Sequence, residues 1–252
     1  MNGLALCAGI GGLELGLSQA IPGYRTVCHV EKDPYAAAVL ATRIEAGDLP
    51  CAPVYSDIRS FDGSPWSGVV DLISAGYPCQ PFSLAGQRGG DTDTRHVWPE
   101  IARVIREVGP RVVFLENVPG HLSLGFSEVL GDLASAGFNA EWGLFSAAEV
   151  GAPHLRNRVF VLAYSKRCDL RVKPGRSRGE GRQGTPLPGF NGANGESWAS
   201  WAASTNSSGE DDGVPSRVDR LRCLGNAVVP AQAAHAFREL YRRAYRYTPL
   251  SS

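Results

Sequence analysis

The sequence predicts an α/β fold, a doubly wound and mostly parallel sheet of the Rossmann-like kind, with one small irregular insertion. Three observations carry this. Apolar, β-branched runs alternate with segments of helical period from the first residues onward. A glycine turn joins the first run to the first helix, and the texture of the chain changes between about residues 166 and 218. Such alternation implies a parallel sheet covered by helices on both faces, with ligands bound beyond the carboxyl ends of the strands.

In chain order, LALCA, TVCHV, APVY, VVDLISA, RVVFLEN and RVFVLAY are the candidate strands. ELGLSQA, PYAAAVLATRIEAG, WPEIARVIREVG and SEVLGDLASAG have helical period, and the last two end at a glycine, as a C-cap would. The 166–218 segment is rich in Gly, Ser, Arg and Pro and poor in aliphatic residues, so it cannot build a core of its own size. Seven basic residues lie between Lys166 and Arg182 against Asp169 and Glu180, and Phe190, Trp198 and Trp201 follow in polar surroundings. Both a surface insertion and a nucleic-acid contact segment fit that composition. Order returns in DRLRCLGNAVVPAQAAHAFRELYRRAYR. There Val229, Ala233, Ala236, Phe237, Leu240 and Ala244 recur at helical spacing, with Gln232, Arg238, Glu239, Arg242 and Arg243 on the other face, as in an amphipathic helix docked on the main domain.

A length of 252 residues suits one large domain, with or without a small appendage. No apolar run approaches the roughly 18 residues that cross a bilayer, and the first residues lack a basic leader and a cleavage site, so a cytoplasmic protein without a membrane segment is expected. The six cysteines include no C-x-x-C pair, which signals neither a zinc cage nor a disulfide framework. A formal net charge of zero argues against holding nucleic acid by global charge and leaves only local basic patches for that purpose.

Four constellations could carry chemistry. In LALCAGIGGLELGL a strand runs into Gly9, Gly11 and Gly12 and then a helix, which lets backbone amides approach a ligand at a helix N-terminus. Glu31 ends the second strand about twenty residues later, where a carboxylate can hold a ribose diol, and Asp57 follows the third, where it could accept from an adenine amino group. Because Glu14 stands at the third glycine position of G-x-G-x-x-G, a compact nucleoside suits the turn better than a pyrophosphate; a turn serving only strand-to-helix packing would read the same. In GYPCQPFS, Cys79 sits between Pro78 and Pro81 just past an apolar run, placed for thiolate character and access. Phe82 occupies the second cysteine position of P-C-x-x-C, which removes a catalytic zinc reading, while a half-buried structural thiol stays open. In RVVFLENVPG, Glu116 and Asn117 follow a strand; a carboxyl there could present a proton to an electron-poor ring under thiol attack, or the pair could cap a helix. In GAPHLRNRVFVLA, Arg156 and Arg158 alternate and so should share one strand face, facing phosphate, a carboxylate or solvent.

Together and in this order, LCAGIGG, the Glu31 strand end, SDI, GYPCQPFS, FLENV, HLRNRVF and LGNAVVP resemble successive blocks of the DNA (cytosine-5) methyltransferases, over residues 1 to about 164 and about 219 to 245. The resemblance implies an S-adenosylmethionine-dependent methyltransferase fold with S-adenosylhomocysteine as product, no metal, and double-stranded DNA as partner. It implies that Cys79 attacks C6 of a flipped-out cytosine, that Glu116 holds N3, and that Arg156 and Arg158 serve phosphate and the flipped base. Cofactor contacts would come from Cys7, Ala8, Gly9, Ile10, Gly11, Gly12, Glu31, Lys32, Asp57, Ile58, Pro78, Trp98, Asn226 and Ala227. The SLAGQRGGDTDTR loop looks like the mobile loop that closes on DNA, with Gln80, Ser83, Gln87 and Arg88 as its DNA contacts. The corresponding organisation is a catalytic and cofactor-binding domain over 1–165, a reduced target-recognition region over 166–218, and a C-terminal segment over 219–252 that returns to complete the cofactor site. A monomer with a cognate restriction endonuclease is the implied setting. An RNA cytosine-5 methyltransferase and a non-catalytic DNA-binding member of the fold are the alternatives. This chain departs from the family pattern at Ala5, usually acidic, at Cys7, usually phenylalanine, and at His154, commonly glutamine; the shortened recognition region suggests relaxed or very short target specificity.

Overall fold

The computed structural model describes residues 1–78, 97–166 and 217–247. Within them lie seven strands, β1 (Asn2–Leu6), β2 (Arg25–Val30), β3 (Val54–Tyr55), β4 (Leu72–Gly76), β5 (Val112–Asn117), β6 (Phe138–Phe145) and β7 (Arg158–Ser165). Six α-helices accompany them: α1 (Gly12–Ala20), α2 (Pro34–Glu45), α3 (Trp98–Val108), α4 (Phe126–Ser135), α5 (Arg217–Asn226) and α6 (Pro230–Tyr247). The strands form one sheet in the order β3-β2-β1-β4-β5-β7-β6. The first five are parallel, and β7 runs antiparallel to both β5 and β6.

Helices cover both faces. Leu4, Leu6, Ile73, Val113 and Val161 pack with Ile101, Val104 and Ile105 of α3 and Val129 and Leu133 of α4. On the opposite face Leu72, Phe114, Phe160 and Leu162 meet Leu13 and Leu17 of α1 and Ala233, Ala236, Phe237 and Leu240 of α6. Nearer the β3 edge, Ala5 and Ala8 pack with Leu40 of α2 and with Leu49. Gly109 and Gly137 take left-handed backbone just past α3 and α4, as the glycines of the sequence pattern predict. Asp33 starts α2 by accepting from the amides of Tyr35 and Ala36.

The structure departs from the sequence-based expectation in three places. FNAEWGLF forms β6, a strand absent from the expected set; Trp142 and Leu144 on it are exposed, so its alternation does not mark a buried face. The C-terminal segment is two helices, because residues 227–229 interrupt the turn sequence before Pro230 starts α6. Gln232, expected on the solvent face, is fully buried and donates to the carbonyls of Phe145 and Arg156, which stitches α6 to β6 and to the approach of β7. A side chain that satisfies two loop carbonyls is polar for a structural reason that periodicity does not reveal.

Glu14 of α1 is buried against β4. It is 2 % exposed; Ser74 Oγ donates to its Oε1 at 2.8 Å, and its Oε2 is a buried oxygen without a hydrogen-bond partner. Burial pushes its carboxyl up to about 7. A carboxyl raised from its ordinary value contributes stability that is complete below that value and lost as pH rises through about 7. Glu14→Gln is therefore expected to stabilise the protein at about pH 8 by on the order of 1 kcal/mol or more, read as a higher urea midpoint, and to change it little at about pH 4.

Candidate active site

The strand order reverses between β1 and β4, so the chain leaving their carboxyl ends opens a crevice there. The chain beyond β1 is the glycine turn. Cys7, Gly9 and Gly11 all have positive φ (50°, 56° and 82°), and of these three only Cys7 bears a side chain. Arg43 of α2 donates to the Ile10 carbonyl and holds the turn from behind. The Glu31 carboxylate, at the end of β2, accepts the Gly9 amide through Oε2 and the Asp33 amide through Oε1, both at 2.7 Å. A Cβ built on Gly9 would meet nothing within 4 Å, so this bend borders open space. Asp57 follows β3 on the same edge and pairs with Lys32 at 3.6 Å. Two carboxylates beside a turn of backbone amides offer donors and acceptors of the kind that a nucleoside's hydroxyl and amino groups would match.

The far wall comes from the C-terminal segment. A Cβ on Gly12 would stand 2.4 Å from the Val228 carbonyl oxygen, and one on Gly16 would stand 2.6 Å from that of Pro230, so α1 carries glycine where residues 228–230 lie against it. Asn226 is exposed and Ala227 half-buried at the start of this wall. Trp98, at the start of α3, is 5 % exposed; its ring lies 5.6 Å from that of Tyr77 and its Nε1 donates to Asp132 at 2.7 Å.

β4 and β5 are parallel neighbours with Gly76 opposite Glu116. A Cβ on Gly76 would approach Glu116 Oε2 at 3.3 Å, so the glycine leaves room for the carboxyl. Glu116 is 7 % exposed and pairs with Arg158 Nε at 3.0 Å. Burial drives its carboxyl up to about 7 against the opposing pull of Arg158 and Arg156. Asn117 Nδ2 donates to the Tyr77 carbonyl at 3.2 Å, and the Tyr77 hydroxyl pairs with His121 Nε2 at 3.0 Å. The backbone leading to Pro78 and Cys79 is thus tied to the element that carries Glu116. Cys79, Gln80, Ser83, Gln87 and Arg88 lie outside the described residues, as does nearly all of the 166–218 region.

Arg156 and Arg158 do not share a strand face. β7 begins at Arg158, and Arg156 before it has φ 34°, which breaks the alternation assumed from sequence. Its guanidinium Nη2 donates to the carbonyls of Gly225 and Ala227 at 2.7 and 2.6 Å. Arg158 faces Glu116, while Arg156 fastens the C-terminal wall beside it. Of the four described cysteines, Cys7 is pushed up to about 12 by burial and by the Glu31 carboxylate, and Cys28 to about 11 by burial, so both stay thiols. Among the described residues, no three or more metal-ligating side chains gather. His121 is absent from the sequence-based expectation, and its only signal there is its place just beyond the Glu-Asn pair.

The family model described as C-5 cytosine-specific DNA methylase matches residues 1–186. The Type II methyltransferase M.NgoMIV of Neisseria gonorrhoeae is 37% identical over 164 residues, 64% of this chain and 50% of that protein. M.PspPI of Psychrobacter sp. is 43% identical over 116 residues, 46% of this chain and 26% of that protein. The chain thus spans about half the length of the first relative and about a quarter of the second. The solved structure of S. pombe Dnmt2 methyltransferase is 25% identical with a TM-score of 0.57, over 67% of this chain and 52% of that one.

Gly12→Ala is expected to force residues 228–230 away from α1 and to destabilise the protein by about 1–3 kcal/mol, read as a lower urea midpoint at unchanged slope.

Proposed function

The chain belongs to the C-5 cytosine-specific DNA methylase family, and we propose that it transfers a methyl group from S-adenosylmethionine to C5 of a cytosine in double-stranded DNA. The observation that carries this reading is Glu116, a buried carboxyl poised near neutrality beside Arg158, opposite Gly76 and at the crevice that the glycine turn borders.

The target base must leave the duplex, at a cost of a few kcal/mol, before side chains reach its ring. The Cys79 thiolate then adds to C6, forming the S–C6 bond. Glu116, protonated over an accessible range of pH, donates to N3, so the electron pair displaced from the C5–C6 double bond is held in the ring and C5 becomes nucleophilic. Arg158 orients the carboxyl and limits how far its proton affinity rises. Bound S-adenosylmethionine supplies an electrophilic methyl group to C5. A base then removes the C5 proton, the S–C6 bond breaks, the Cys79 thiolate is restored, and the N3 proton returns to Glu116. Glu31 and Asp57 would hold the ribose and adenine ends, and residues 226–228 would close the pocket against Gly12. The Type II names of the relatives support a cognate restriction endonuclease as the functional partner.

Incubation with duplex DNA and labelled S-adenosylmethionine is expected to give 5-methylcytosine by nucleoside mass analysis, with a parallel RNA arm giving none. Cys79→Ala should abolish the product, and DNA carrying 5-fluorocytosine should trap a covalent complex with the wild type alone. Product formed equally by Cys79→Ala refutes the mechanism. Glu116→Gln keeps a hydrogen-bond donor but no transferable proton, and is expected to lower kcat by about 10²–10⁴-fold. Because the Glu116 carboxyl is raised, the protonated fraction falls as pH climbs through about 7. A decline in kcat/KM on the alkaline side of that value should accompany it and vanish in Glu116→Gln.

A further inference from the structure

Between β3 and β4, where a doubly wound sheet ordinarily carries a helix, the chain makes an irregular loop with a single 3₁₀ turn at Ser64–Trp66. Asp57 and Ile58 open that loop. Within the loop only turn bonds serve its carbonyls, such as the Phe61 amide to the Ile58 carbonyl at 3.3 Å, and one side chain of α3 adds stronger donors. Arg103 Nη2 donates to the Ile58 carbonyl at 2.7 Å and Nη1 to the Phe61 carbonyl at 3.0 Å. The same guanidinium is held from its own helix by Glu100, through Nε at 2.8 Å, and by Glu107, through Nη1 at 2.8 and 2.9 Å. Glu107 Oε2 also accepts the Gly63 amide at 2.8 Å, and a Cβ on Gly63 would stand 2.9 Å from that oxygen. Residues 58–63 are therefore bolted to α3 at three backbone points. Buried Ile58 and Phe61 pin the loop to the core between those points.

We propose that Arg103 is a positioning residue that sets the adenine end of the cofactor site: it fixes the Ile58 carbonyl, and so the preceding Asp57–Ile58 peptide, at the distance from the glycine turn that an adenine requires. This rests on the reading of Asp57 and Ile58 as the adenine-side wall. The Asp57 side chain does not set its own place rigidly, because its contacts are the nearby Arg59 amide and the exposed Lys32. The rigid element is α3, and Arg103 is its link to the Ile58 carbonyl, whereas Glu107 holds the loop farther on, at Gly63. A lysine offers a compact ammonium that cannot span two carbonyls and two carboxylates with the same geometry.

The test measures discrimination as well as affinity. Isothermal titration of the full chain with S-adenosylhomocysteine and with S-inosylhomocysteine, which carries a 6-oxo group in place of the adenine amino group, gives a ratio of dissociation constants that reports adenine recognition. Arg103→Met, which keeps the apolar stem and removes all donors, is expected to weaken S-adenosylhomocysteine at least about tenfold and to narrow the ratio at least about fivefold. Its KM for S-adenosylmethionine should rise in step, with kcat at saturation within about threefold of wild type. A merely structural role would weaken both ligands alike and leave the ratio unchanged. An unchanged ratio in folded Arg103→Met overturns the proposal; if that variant does not fold, Arg103→Lys is measured instead, and an unchanged ratio there overturns it equally. Asp57→Ala in the same titration separates the two levels. A ratio that Asp57→Ala leaves intact removes the adenine-side reading and the proposal with it, whereas one that Asp57→Ala narrows and the Arg103 variants do not removes the role of Arg103 alone.

Discussion

The burial of one carboxyl at the end of β5 organises the site. Burial penalises the charged form of Glu116, and Arg158, from β7, opposes that penalty with a guanidinium at 3.0 Å. The antiparallel pairing of β7 with β5, which sets Glu116 opposite Phe160, brings Arg158 close enough to meet it. Two residues earlier the backbone turns through a left-handed conformation at Arg156, and that guanidinium reaches the carbonyls of Gly225 and Ala227. Those carbonyls begin the wall that lies against Gly12. Buried carboxyl, cation, C-terminal wall and glycine turn are thus successive links of one set of contacts.

The parallel half of this architecture was legible in the sequence because it depends on continuous apolar runs. Strands β1, β2, β4 and β5 carry such runs, and the candidate site residues singled out from sequence fall at strand ends, Gly9 past β1, Glu31 past β2, Asp57 past β3 and Glu116 near the end of β5. What escaped depends on tertiary partners. β6 carries the alternation Phe138, Ala140, Trp142 and Leu144, but as an edge strand it leaves Trp142 and Leu144 exposed, so its pattern points to no single buried face. Gln232 looked like a surface position because polarity on a helix usually means solvent, and only the carbonyls of Phe145 and Arg156 explain its burial. Arg156 and Arg158 were expected to alternate as strand residues, which one positive φ prevents.

Chemistry at the crevice is sorted by environment as much as by residue type. Cys7 lies on the glycine turn, yet burial and the Glu31 carboxylate keep it a thiol, so it does not compete as a nucleophile. Glu31 is committed to two backbone amides and stays an acceptor, whereas Glu116, buried against a single guanidinium, can carry a proton. Glu14, buried with Ser74, has a similarly raised carboxyl but lines a different cavity, with Leu15, Tyr24 and Leu49, and has no cation beside it among the described residues. A perturbed acid marks a site only when the groups around it also suit a reaction.

The seating of α6 on α1 has a consequence for how the protein is made. Arg238 donates to the Gln19 carbonyl across 219 residues of chain, and Gly12 and Gly16 admit the backbone of residues 228–230 at the same junction. Contacts of such separation close late, because loop closure must be met before they are rewarded. While the chain is still emerging during synthesis, the glycine turn faces water with one wall missing. The wall against Gly12 and Gly16 exists only once residues 228–234 are in place, so a product truncated before them would retain the strands of the sheet and lack that wall.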